Sequence, residues 1–280
     1  AQSMLFPGMP FDVNVLDAER QRITRLLQNK GYYKFNKDFL VYQADTTRNT
    51  YLVDLTLKLL PYQRKKEDPP QKHRQYLVNS VNFIADSEMT PIRKGSFTGF
   101  DSLSYKGYNM YYKDKMFLRP KLLVDFNRIR PGEFYSERDV QNTYSALGRL
   151  RMLKYSNIRF KEVNVSDSTK LDAYIVMSKG QNKSVSFEIE GTNSAGDLGA
   201  AASISFQHRN VFKGSETFTM KVRGAYEAIT GLGQDYVNDN YTEYGVESSL
   251  NFPEFMFPFL SSDFKRKIKA TSEVGLKFTS

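Results

Sequence analysis

Two histidines and no cysteine leave this 280-residue chain few groups for nucleophilic, redox or metal chemistry. His73 sits in a charged, proline-bearing stretch and His208 near the end of a strand pattern. Neither stands at ligand spacing from a second His or any Cys, so no metal site is expected. No G-x-x-x-x-G-K-[ST] phosphate loop and no G-x-S-x-G nucleophile turn occurs. Glu188 and Glu190 share one face of a strand, where a solvated wall explains them without acid–base work. No catalytic residue and no cofactor are therefore expected. Tyr108, Tyr111 and Tyr112 interleave with Lys106, Lys113 and Lys115, as a platform for stacking single-stranded nucleic acid would. Tyrosines of an ordered loop packed on a neighbouring domain give the same pattern, and nucleic acid is not an expected partner.

The elements that carry these residues divide at Lys183. From there on the chain alternates: Val185, Phe187 and Ile189 are interleaved with Ser184, Ser186, Glu188 and Glu190. The alternation recurs at Ala202/Ile204/Phe206, Phe218/Met220/Val222, Tyr244/Val246 and Val274/Leu276/Phe278. A β-strand sends successive side chains to opposite faces, so each segment has one apolar and one polar face. Lys221, Arg223, Glu243, Glu247, Glu273 and Lys277 all fall on the polar parity. Aromatics gather near the expected strand ends, at Tyr226, Tyr236, Tyr241, Phe252, Phe255, Phe257 and Phe259. A soluble sandwich with one wet face would alternate too. The apolar parity, with few charges, and the aromatic ends favour a lipid-facing barrel wall.

Mean hydropathy is −0.53, and no run of apolar residues is long enough for a membrane-spanning helix. Barrel strands give a much weaker signal and stay allowed. The opening AQSMLFPGMP lacks the basic start and apolar stretch of a signal peptide. The net charge of +9 is uneven: residues 183–280 hold 10 Lys/Arg against 12 Asp/Glu, while residues 1–182 hold 30 against 19. A basic first part suits an anionic partner such as a lipid surface, a polyanion or nucleic acid, or is simply solvated charge.

Before Lys183 helical and strand patterns mix. Residues 17–29 read as a helix with Asp17 as N-cap, followed by Gly31. Strands are expected over Phe35–Ala44 and Tyr51–Leu60, then a linker over 63–74 and a strand over Tyr76–Ile84. Residues 85–118, rich in Gly, Ser, Tyr and Lys, read as a long insertion with some short structure. Arg119–Ile129 is a short helix candidate. Ser136–Leu150 is the strongest helix, capped by Ser136, with Val140, Tyr144, Leu147 and Leu150 on one face. Strands over Tyr155–Val163 and Leu171–Met177 follow. The order helix, short aromatic link, strand, polar turn, strand thus occurs twice, which points to modular α+β domains in series.

PGEFYSERDVQNTYSALGRLRMLKYSNIRFKEV, and more weakly PGMPFDVNVLDAERQRITRLLQNKGYYKF, resemble POTRA domains. SFQHRNVFKGSETFTMKVRGAY and FPEFMFPF resemble the opening strands and an interface turn of a BamA/TamA-superfamily barrel, with the TamA-like, TamL lipoprotein branch nearest. The resemblance implies α+β POTRA domains of βααββ order followed by the N-terminal part of an antiparallel transmembrane β-barrel. It divides the chain into an N-terminally incomplete POTRA-like domain (1–62), a linker (63–74), a second POTRA-like domain (75–182, insertion 85–118) and about five barrel strands (183–280). Truncation at both ends is expected.

The implied role is an outer-membrane assembly or translocation factor of a Gram-negative bacterium, with residues 1–182 periplasmic. It would receive client strands on exposed edges. The barrel edge would be Ser184, Val185, Ser186, Phe187, Glu188, Ile189 and Glu190. The POTRA edges would be Phe35–Ala44 and Tyr155, Ser156, Asn157, Ile158, Arg159 and Phe160. Membrane-interface aromatics would be Phe252, Phe255, Phe257 and Phe259. Implied partners are unfolded outer-membrane clients, outer-membrane lipid or lipopolysaccharide, and a TamB-like periplasm-spanning protein. A BamA-like central insertase is the alternative within the family. Outside it, a soluble periplasmic polyanion-binding module fits the basic first part.

Overall fold

The computed structural model describes residues 2–47, 51–63, 68–85, 97–163, 169–194, 197–228, 240–256, 259 and 270–280. Its elements are α1 (Val13–Gln28), β1 (Leu40–Asp45), β2 (Asp54–Leu59), β3 (Leu77–Ala85), β4 (Asp101–Tyr105), β5 (Tyr108–Tyr112), α2 (Pro120–Phe126) and α3 (Glu137–Leu147). They continue as β6 (Leu153–Glu162), β7 (Lys170–Lys179), β8 (Lys183–Ser194), β9 (Asp197–Arg209), β10 (Thr217–Ala228), β11 (Asn240–Phe252) and β12 (Ser272–Thr279). Among these residues no helix is long and apolar enough to cross a membrane.

The first unit is α1 with the antiparallel pair β1–β2. Helix α1 starts four residues before the expected Asp17. The side chain of Asp12 accepts the Asn14 N–H at 2.8 Å and caps the helix there. The expected strand from Phe35 is preceded by a 3-10 turn over Lys37–Phe39, because Asn36 captures the Asp38 N–H at 2.8 Å; regular pairing begins only at Leu40.

The second unit is a five-stranded sheet of order β4-β5-β3-β7-β6. Strand β3 runs parallel to both β5 and β7, and β6 pairs antiparallel with β7. Helices α2 and α3 lie between the parallel strands β3 and β7 in sequence. Their Leu122, Leu123, Val140, Ala146 and Leu147 enter one core with Val81, Phe83, Met110, Leu171, Ala173 and Ile175. Ser136 caps α3 by accepting the Asp139 N–H, and Glu137 and Asp139 in the first turn oppose the positive helix end. The expected insertion supplies β4 and β5, a hairpin whose two turn residues, Lys106 (φ 52°) and Gly107 (φ 81°), take the left-handed values of a tight hairpin turn. Strand β5 then seats beside β3, so this segment extends the sheet rather than looping away from it.

The third unit is an antiparallel sheet of order β12-β11-β10-β9-β8 in unbroken register. It is an open sheet of five strands, joined to β7 through residues 180–182.

Candidate functional site: two open strand edges

The third sheet separates its side chains by face. Rows such as Phe187–Ile204–Val222–Val246–Phe278 and Val185–Phe206–Met220–Ser248–Leu276 cross it on one side. Among the described residues nothing covers this side: Val185 is 70% exposed, Phe187 62%, Ile189 75% and Leu276 79%. A contiguous apolar face of this extent is not left to water in a soluble protein. Strands of 12–13 residues reach about 40 Å, which at a tilt of about 45° covers about 30 Å, the hydrocarbon thickness of a bilayer.

The other face is polar and internally paired. Lys221 Nζ lies 3.1 Å from Glu188 Oε2, and Arg223 Nη2 lies 3.3 Å from Glu190 Oε2. Both pairs reach across β9, whose residues on that face are the small Ala201, Ser203 and Ser205. Ser203 Oγ also donates to Glu188 at 3.2 Å. Glu188 and Glu190 are therefore members of a charged wall, as their spacing suggests.

Strand β8 is an edge of this sheet. The Arg209 N–H donates to Asn182 O at 2.7 Å, which fixes the alternation of the antiparallel ladder. Ser184, Ser186, Glu188 and Glu190 face β9 with their main chain, so the N–H and C=O of Val185, Phe187 and Ile189 point outward. Among the described residues no partner reaches them. The residues expected to form a strand-pairing edge thus fall into two sets, three offering main chain outward and four holding the strand to β9.

Strand β6 is an edge as well, at the far side of β7. It carries the expected Tyr155, Ser156, Asn157, Ile158, Arg159 and Phe160. Its setting is quite different. The Ile158 N–H donates to the Tyr144 hydroxyl of α3 at 2.7 Å. That hydroxyl in turn lies 3.3 Å from Ile158 O and 3.1 Å from Asn157 Oδ1. Asn157 Nδ2 donates to the Tyr155 hydroxyl at 2.8 Å. At the far end, Lys34 Nζ reaches Glu162 at 2.8 Å and the Tyr33 ring packs on Phe160, so the first unit sits against the end of this edge. Burial is the largest single influence on Lys34 and opposes its charge, but the hydrogen bonds and charges of Glu162 and Tyr76 together outweigh it and raise the lysine's pKa. The close approach needs Gly31 (φ 101°), where a Cβ would meet the Phe134 ring at 3.1 Å.

The unit bearing β6 and the sheet bearing β8 are locked by the turn between β9 and β10. Glu216 is 2% exposed there. Its Oε1 accepts from Arg119 Nη2 at 2.7 Å, and its Oε2 accepts the N–H groups of Phe212 (3.2 Å) and Gly214 (2.9 Å). Lys213 O accepts the Arg119 N–H at 2.7 Å, Asn210 Nδ2 donates to Phe117 O at 2.7 Å, and the Met152 N–H donates to Ser215 Oγ at 3.0 Å. Asn210, Lys213 and Ser215 all take positive φ, a strained turn held by these contacts. Sequence reasoning missed the pairing of Arg119 with Glu216, which are far apart in the chain and leave no local signal.

The remaining expected residues are structural or peripheral. His73 bonds Leu60 O through Nε2 at 2.8 Å and packs edge-on against Phe35 and Phe39. Tyr108 is buried, and Tyr111 stacks on Phe97 at 4.0 Å, so neither offers a face to a base. Phe252 ends β11 at the side of the sheet nearest the α+β units, with Phe255 just beyond and Phe259 87% exposed. Phe257 and Tyr236 lie outside the described residues. Among the described residues no group of three His, Asp or Glu is placed to hold a metal.

The described residues thus define an α+β unit latched to an open antiparallel sheet with one apolar and one charged face. No protein-family model matches the chain, and no curated protein matches it in sequence. Among solved structures it is similar to BamA from Haemophilus ducreyi lacking POTRA domains 1–3, with a TM-score of 0.47 at 13% identity over 98% of this chain and 46% of that one. It is also similar to CdiB from Acinetobacter baumannii (TM-score 0.34, 10% identity, 87% of this chain and 59% of that one). POTRA1–3 of the periplasmic domain of Omp85 from Anabaena gives a TM-score of 0.30 at 12% identity, over 62% of this chain and 54% of that one. The chain spans roughly half the length of these three structures. With every TM-score below one half, these likenesses decide neither fold nor function.

Proposed function

We propose that the chain belongs to an outer-membrane β-barrel protein of a Gram-negative bacterium that receives unfolded outer-membrane clients by main-chain strand pairing. The observation that carries this is the β8 edge. Val185, Phe187 and Ile189 present unpaired main chain at the border of a sheet whose uncovered face is apolar. In hydrocarbon each unsatisfied N–H or C=O costs several kcal/mol, so such an edge has to be paired. Strand addition satisfies it for clients of many sequences, because the bonds are main-chain bonds. In this reading, which the resemblance to POTRA domains and a TamA-like barrel supports, residues 1–182 lie in the periplasm, outer-membrane lipid surrounds the sheet and a TamB-like protein is a partner.

Proline scanning of β8 in the membrane-embedded protein tests this. Phe187→Pro and Ile189→Pro remove outward donors but leave the β8–β9 ladder bonds of Glu188 and Glu190 in place. Client barrels should fall in abundance, while the variants keep their own heat-modifiable gel migration. Wild-type client levels with either variant would sink the proposal. A protein released from membranes without detergent would sink the membrane placement itself.

A further inference from the structure

We propose that Tyr144 is a built-in plug on β6: its hydroxyl holds the outward main chain of Ile158, and an incoming strand has to displace it. The hydroxyl takes both functions a partner strand would use, accepting the Ile158 N–H at 2.7 Å and facing Ile158 O at 3.3 Å. Ile158 pairs with Ile175 of β7 in side-chain register only, since its N–H turns the other way, so it marks the middle of the open edge. Asn157 completes the clasp by sharing the hydroxyl at 3.1 Å. The Tyr144 ring packs against the core and does not need its hydroxyl to stay there.

The surface this plug guards has a definite complement. Arg159 and Lys161 are exposed at i, i+2 on the solvent side of β6. An added strand with carboxylates at the same spacing would set them beside these cations. The partner is therefore an extended, alternating client segment with acidic residues on one face, the pattern β8 itself shows at Glu188 and Glu190. The plug rests on the strand-receiving role proposed above and adds that β6, unlike β8, receives only after a competition.

The experiment uses the full chain in detergent micelles and, as probe, a fluorescein-labelled peptide of the Lys183–Gly191 sequence. Amide hydrogen exchange at Ile158 is read first, without peptide, in wild type, Tyr144→Phe and Asn157→Ala. Exchange should quicken in Tyr144→Phe, while amides of Leu147 and Leu171 keep their protection and so report an intact fold. Anisotropy should then show the peptide binding Tyr144→Phe about five-fold more tightly, the ratio that one net hydrogen bond is worth. The bound peptide should protect amides between Ser156 and Phe160. Asn157→Ala keeps the Tyr144–Ile158 pair and should bind as wild type. Equal affinity in wild type and Tyr144→Phe overturns the plug, as does an equal gain in Asn157→Ala. Binding by neither protein, with Ile158 exchange quickened, overturns strand reception at β6, the role on which the plug rests.

Discussion

Strands β6 and β8 are both edges of five-stranded sheets, and they are finished in opposite ways. On β6 the central main-chain pair is occupied by Tyr144, exposed Arg159 and Lys161 follow, and the first unit closes the end through Lys34 and Glu162. Charged residues and covered main chain are how an edge in water avoids unwanted pairing. On β8 the outward residues beyond Lys183 are Val185, Phe187 and Ile189, which carry no charge, and among the described residues no side chain guards their main chain. An unguarded edge of this kind invites aggregation in water, yet in a bilayer it is a demand for a partner strand. The difference teaches that solvent, more than sheet geometry, decides whether an open edge is a hazard or a receptor.

The largest test of that contrast changes one charge in each sheet. Val222→Lys puts an ammonium on the apolar face of β10 and should cost about 2–4 kcal/mol in a bilayer. Arg159→Ala on β6 should stay within about 0.5 kcal/mol, as exposed positions do. Urea titration of the protein folded into lipid vesicles measures the first, and the same titration measures the second. Equal costs would mean that the two sheets share one solvent.

Acid should separate the edges next. The first unit, which closes the end of β6, contains Glu19 at 3% exposure. The Arg22 guanidinium bonds both carboxylate oxygens, at 2.7 and 2.8 Å, and outweighs burial. With the Met4 N–H and the Ser3 hydroxyl it holds Glu19 at about 2. A folded-state value below the unfolded one gives stability that is fully present above the unfolded pKa. It is lost as pH falls from about 4.5 through about 2. The shift corresponds to at most about 3 kcal/mol, and to less once water screens the partly exposed Arg22. Exchange in α1 should rise over that window and Glu19→Gln should flatten the change, while β9 and β10 keep their protection. Simultaneous loss in both regions would mean that acid does not act through Glu19.

The latch between the two regions should show a smaller effect. Arg119→Ala leaves Glu216 buried without its cation, but the arginine is 55% exposed, so a full buried-pair penalty does not apply. A loss of about 1–2 kcal/mol is expected, below the range for fully buried pairs. Gly214→Ala would drive a Cβ against both Arg119 and Glu216 and should act in the same direction. Spin-label distances between β6 and β9 should broaden in both variants. An unchanged distance distribution would show that the turn between β9 and β10 does not set the spacing of the two edges.

What could be read from the sequence follows the range of the forces involved. The strands from Lys183 onward were legible because each face has one solvent, and period two records it at every residue. Helix α3 was legible through its Ser136 cap and its stripe. The hairpin β4–β5 was not, since short strands of Asp, Ser, Tyr and Asn carry no period and their place beside β3 is a tertiary fact. Tyr144 was visible only as part of the α3 stripe. Its ring obeys the helical period, whereas its hydroxyl answers to the main chain of β6, whose position no side-chain pattern encodes. Arg119 and Glu216 were illegible for the same reason: an ion pair between distant segments leaves no local mark.

The smallest expected effect bears most closely on the comparison. Tyr144→Phe removes one hydroxyl and should cost about 1 kcal/mol, the net value of a hydrogen bond. The full price of a buried orphan is not expected, because the Ile158 N–H lies on an edge that water can reach once the hydroxyl is gone. A urea midpoint lowered without a change in slope would register that loss as stability alone. On β8 no equivalent substitution exists, since no side chain among the described residues bonds the main chain of Val185, Phe187 or Ile189. Their amides should exchange freely in a micelle until a strand is added and slow when it is. Should Ile158 exchange as freely as Phe187 in the wild-type protein, the two edges would be of one kind, and solvent rather than Tyr144 would have to account for any difference in what they bind.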